Sequence, residues 1–104
     1  MKKEMIAELK EGMKLYSVAT GGLDILNKQS RKAFKFLSKQ EGLVGVYPDP
    51  SGRILWMFNS ENNAKRCRNL GQAKGIEFGY NICKFVCNVD GVPVFDEEWA
   101  IKNI

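Results

Sequence analysis

Apolar and polar positions alternate in two rhythms along this chain, and the switches between them define its elements. Residues 3–11 carry Met5, Ile6 and Leu9 on one side at helical spacing, and Gly12 ends the stretch. Lys14 to Thr20, KLYSVAT, alternates as a short strand, with extension of the preceding helix as the competing reading. Thr20-Gly21-Gly22 is a break. From Leu23 to Gln40 the series Leu23, Leu26, Ser30, Ala33/Phe34, Leu37 predicts a helix with one apolar stripe. Gly42 suits its C′ position, and Asn27 or Ser30 is a candidate internal cap.

Leu43–Tyr47 and Arg53–Phe58 are β-prone runs joined by Pro48-Asp49-Pro50-Ser51-Gly52, and together they predict a hairpin. Asn59 or Ser60 can cap a following helix, with Glu61 in its first turn, where the helix dipole favours an anion. Ala64, Cys67 and Leu70 then face inward, and Gly75 closes the helix. Ile76 to Cys87 reads as one long strand with Ile76, Phe78, Tyr80, Ile82 and Val86 on one face. Asp90-Gly91 predicts a two-residue hairpin turn, and Pro93 marks the returning strand as an edge. Asp96 can cap a short last helix that offers Trp99 and Ile101 for packing.

The resulting order, (α)βαββαββ(α), contains the βαββαβ pattern of a ferredoxin-like α+β fold. Two helices would lie on one face of an antiparallel sheet, with an extra C-terminal hairpin strand and short terminal helices. Residues 1–104 are expected to form a single domain.

Strand Arg53–Phe58 is apolar on both sides. Ile54, Trp56 and Phe58 share one face, and Leu55 and Met57 share the other with Arg53. A half-exposed antiparallel strand has one polar face, so both faces here need a cover. The candidates are the C-terminal segment around Phe95 and Trp99, a second copy of the chain, or a partner.

Composition narrows the chemistry. The net charge is +4 with cations and anions interspersed, which permits contact with nucleic acid or acidic proteins without requiring it. Histidine is absent, which removes the usual general base, the Ser-His and Cys-His nucleophile pairs and the commonest transition-metal ligand. The cysteines Cys67, Cys83 and Cys87 form no CxxC pair. On one strand Cys83 and Cys87 would lie ~13 Å apart, beyond the ~7 Å reach of a disulfide. Reduced thiols and a cytoplasmic location follow. Neither a bilayer-length apolar run nor the h-region of a signal peptide is present, since Glu4, Glu8 and Lys10 interrupt the start. Asp96, Glu97 and Glu98 are consecutive and diverge, so capping explains them better than acid/base catalysis. No GxGxxG or P-loop occurs, and Gly21-Gly22 reads as a plain turn.

The leading expectation is a non-catalytic interaction module without cofactor, metal or membrane contact. It would bind an unidentified protein or its own copy through the second sheet face, with Trp56, Phe58, Ile54 and Tyr16 as contacts, or through the basic helix surface. The alternative is a nucleic-acid binder. Its contacts would be Lys28, Arg31, Lys32, Lys35 and Lys39 of one helix with Lys65, Arg66, Arg68 and Lys74 of the other. Sheet aromatics that stack on bases offer a second route, but GRILWMF does not meet the basic and glycine positions of the RNA-recognition motif octapeptide, and no family is assigned. A thiol-dependent enzyme is a third, minor reading.

Overall fold

The computed structural model describes residues 4–5, 8–22, 27–48, 52–79 and 81–103. Expectations for Ile6, Leu23, Leu26, the Asp49-Pro50-Ser51 turn and Tyr80 lie outside the described residues. The protein is α+β. Its strands are β1 (Glu4–Met5), β2 (Lys14–Thr20), β3 (Leu43–Pro48), β4 (Ile54–Phe58), β5 (Cys83–Cys87) and β6 (Pro93–Phe95). Its helices are α1 (Lys28–Ser38), α2 (Glu61–Ala73) and α3 (Glu97–Lys102). All six strands join one antiparallel sheet in the order β1-β3-β4-β2-β5-β6.

Local chemistry sets the helix starts. Asn27 caps α1, its side-chain oxygen accepting from the N–H groups of Gln29 and Ser30 at 2.8 and 3.2 Å. Ser60 accepts from Asn63 N–H at 3.1 Å to start α2, and Asp96 accepts from Trp99 N–H at 3.0 Å to start α3. Gly42, expected at the C′ position of α1, lies beyond the Lys39 C-cap and turns the chain with φ of 84°.

The face of β4 that carries Ile54, Trp56 and Phe58 receives the helices. These residues pack with Val18, Val46 and Ile82 against Leu37 of α1 and Ala64 and Cys67 of α2. Trp56 donates its indole N–H to the buried Thr20 hydroxyl at 3.0 Å, which satisfies both polar groups inside the core. On α2 the inward stripe is Ala64, Cys67 and Gly71, and the expectation for Leu70 is corrected: it is 46% exposed. A Cβ at Gly71 would lie 2.6 Å from the Phe78 ring, so only glycine lets the helix settle onto that aromatic.

Three further expectations are corrected. Glu4–Met5 pairs with β3 as a strand rather than opening a helix. The long strand from Ile76 is shorter: β5 begins at Cys83, and among the described residues before it Phe78 bridges Thr20 and Gly79 N–H donates to Ala19 O at 2.8 Å. The last hairpin is not a two-residue turn. Asn88 N–H donates to Val92 O and Gly91 N–H to Asn88 O, both at 2.9 Å, enclosing the three-residue loop 89–91. Gly91 has φ of 75° while Asp90 does not reach positive φ, whereas a type I′ turn needs it at both positions.

Pro93 does lie on an edge strand. The Asn88-to-Val92 bond and the Asp96 N–H bond to Lys84 O, 2.9 Å each, fix the alternation of the ladder. Residues 93 and 95 then point their backbone groups away from β5, so the N–H that proline lacks is one the sheet does not use.

Candidate functional site

Trp56 and Phe58 are fully buried and Ile54 is 2% exposed, all beneath the helices. Tyr16, on the same face, is half-buried against the Trp99 ring of α3, edge to face at 5.9 Å between centroids. The expectation that these four side chains face a partner on the second sheet face is therefore corrected. Period two divides a strand into two rows, and packing against α1 and α2 selected this row.

The second face belongs to Leu15, Val44, Met57 and Cys87, with Leu9, Met13, Tyr47, Leu55 and Phe85 partly buried around them. Its cover comes from Leu9 and Met13, in the connection between β1 and β2, and not from Trp99. Phe95 contributes at the margin only, its ring tilted against that of Phe85 at 5.6 Å between centroids and 44% exposed. A bulge in β3 between Leu43 and Gly45 turns Val44 toward this face as well.

The outer surface of α1 differs from both. Lys28, Lys32, Lys35 and Lys39 recur at intervals of four, three and four residues, which places them on one side of the helix, opposite buried Leu37. All four are exposed and none makes a salt bridge among the described residues. The helix contains no carboxylate. Like charges at i,i+3 and i,i+4 oppose one another, and cations in the first turn oppose the helix dipole. On α2 most cations have local explanations. Lys65 pairs with Glu61 at 2.6 Å, Arg66 with Glu41 at 2.7 Å, and Arg68 is partly buried. The two helices thus do not pool their cations into one uniform surface.

Lys74, the C-cap of α2, is the exception. Its ammonium sits over the Phe36 ring of α1, 5.5 Å from the centroid. Together with Lys32 it borders a cleft of about 660 Å³ between the start of α1 and the end of α2. Ala33, Phe36 and Ile76 supply its apolar lining and Gln29, Ser30 and Glu77 its polar one, with Gly21-Gly22 at one side. The sequence offered Lys28, Arg31, Lys32, Lys35 and Lys39 as the cations of this helix, and the helix bounds set the four lysines in one row. Phe36 and Glu77 were not legible there, because Phe36 lies off the apolar stripe and Glu77 was assigned to the interior of a strand.

Burial disfavours the thiolate form at each cysteine. Burial pushes Cys67 up to about 12 and also raises Cys83 and Cys87. Cys83 additionally lies 3.4 Å from the Asn81 carbonyl oxygen as a weak donor. Tyr47 is raised by burial first and by the neighbouring Cys87 second. Asp96 is occupied as the cap of α3 and faces Lys84 at 3.6 Å. Among the described residues no three Cys, Asp or Glu side chains converge as metal ligands, and no helix is long and apolar enough to cross a membrane. Compared with known proteins, the chain matches no family model, no curated protein and no solved structure.

Proposed function

We propose that this chain is a non-catalytic binding module that tracks the phosphate backbone of a nucleic acid with the outer face of α1. The scaffold is read as a ferredoxin-like core. Its four strands run in the order β5-β2-β4-β3, with α1 and α2 as the two crossovers and β1 and β6 added at the edges. A cytoplasmic setting fits three free thiols.

The observation that carries the reading is the row Lys28, Lys32, Lys35 and Lys39 on a helix with no acid of its own, with no salt bridge to any of the four among the described residues. A solvated helix face gains more from mixed charges than from one sign, because opposite charges at i,i+4 support the helix and like charges weaken it. An anionic polymer would reverse that balance. The row spans about 16 Å of helix axis, close to five phosphates of one B-form strand.

The test is fluorescence anisotropy of dye-labelled single- and double-stranded oligonucleotides across a salt series. Affinity falling steeply with salt supports the reading, and no binding at low salt overturns it. A second reading, contact with a protein or a second copy, rests on Tyr47, Leu55, Phe85 and Phe95, which keep part of their surface in water on the second sheet face. Mass determination by light scattering tests self-association, and a strict monomer removes the second-copy form.

A further inference from the structure

The cleft beside α1 continues the lysine row. Lys32 belongs to both, so a strand laid along Lys28, Lys32, Lys35 and Lys39 passes its rim. Lys74, the C-cap of α2, is a second cation in its lining and lies over the Phe36 ring. Ala33, Phe36 and Ile76 are its apolar lining, and Glu77 adds a carboxylate. Two cations beside an aromatic and apolar lining fit a ligand that alternates anionic linkers with flat apolar bodies. The volume of about 660 Å³ lies within the range of small-molecule sites and admits one nucleotide unit.

We infer that the cleft receives one unstacked base of a single-stranded nucleic acid, with its flanking phosphates at Lys32 and Lys74. This rests on the phosphate-tracking reading of α1 and adds the strand type and the base preference. A duplex keeps its bases stacked and cannot supply one to a cleft at the protein surface, whereas a single strand can. Phe36 provides the ring against which the base lies, after the Lys74 ammonium moves from that ring to a phosphate. Glu77 accepts from an exocyclic amine, as carboxylates do from cytosine N4, so cytosine is preferred over thymine, which has no exocyclic amine.

The experiment compares a short dye-labelled oligodeoxycytidine with an abasic strand of equal length. Wild-type protein and the exposed-site variants Glu77→Gln and Lys74→Ala are measured at low salt. The expected result is binding of the cytidine strand about tenfold tighter than the abasic strand, the scale of one base–aromatic stack. E77Q narrows the preference for oligodeoxycytidine over oligothymidine, and K74A weakens every strand. Cytidine monophosphate shifts the Ala33 and Ile76 methyl resonances. Equal affinity for the abasic and cytidine strands, with unmoved methyls, overturns the base pocket and leaves the α1 reading standing. Absence of binding by every strand overturns both.

Discussion

Replacing Lys28 with glutamate should stabilise the protein while weakening its grip on nucleic acid. Lys28 is exposed and is the first residue of α1, immediately after the Asn27 cap. Its cation opposes the helix dipole and lies one turn before Lys32. In K28E the dipole term changes sign, at roughly 0.3–1 kcal/mol per charge for exposed sites. The i,i+4 repulsion from Lys32 becomes a Glu-to-Lys pair in the favourable orientation, roughly 0.2–0.5 kcal/mol for each half of the change. The terms are discounted for exposure and solvent screening, leaving a net gain of about 1 kcal/mol at low ionic strength. For a domain of this size that raises Tm by about 5 °C. Thermal unfolding followed by circular dichroism measures it, and molar salt should erase most of the gain because the screening length falls to ~3 Å. No gain at low salt would refute the argument that the lysine row is held at a cost. A stability gain without loss of oligonucleotide affinity would refute its assignment as the contact surface.

Two further predictions concern the core and the hairpin. The Cys67 thiol is held at about 12 against an ordinary value of 9.0, so its burial favours the neutral form. Because the folded pKa is the higher one, the stabilising contribution is complete below pH 9.0 and is lost as pH rises toward about 12, a span worth about 4 kcal/mol. Chemical denaturation should show wild-type stability falling more steeply than that of Cys67→Ala across that window, and equal slopes would contradict the assignment. Gly91→Ala should destabilise by about 2 kcal/mol or more. Its φ is 75° and a Cβ there would lie 2.6 Å from the Leu9 backbone oxygen, so strain and collision act together. An unchanged urea midpoint would count against that placement of the loop.

The sequence made the local signals readable and left the choice between equivalent faces open. The caps Asn27, Ser60 and Asp96 were each candidates on side-chain chemistry, and each makes its hydrogen bond. The pairing of β3 with β4 and the edge position of Pro93 likewise followed from local pattern. Trp56 was harder. Its strand is apolar on both rows, so alternation alone could not say which row the helices would cover. Leu70 and Gly71 are adjacent on α2, and hydrophobicity favoured the leucine. Packing against Phe78 required the residue without a side chain. The described residues between Ile76 and Ile82 do not form a full ladder, because a strand also needs a continuous partner and β2 meets this stretch at its end, through Ala19 and Thr20. The cleft joins residues from three separated stretches, and no local pattern brings Phe36, Lys74 and Glu77 together.

The phosphate-tracking reading stands or falls on the salt dependence of binding after the α1 row is neutralised. Single-strand affinity should be followed against ionic strength for wild-type protein, for a variant with Lys28, Lys32, Lys35 and Lys39 each changed to glutamine, and for a Lys65→Gln, Arg66→Gln control. The account predicts that the log–log slope shallows by about 3 in the α1 variant, near 0.7 for each phosphate that a lysine no longer neutralises, and barely changes in the control. An unchanged slope in the α1 variant, or an equal change in the control, would contradict it.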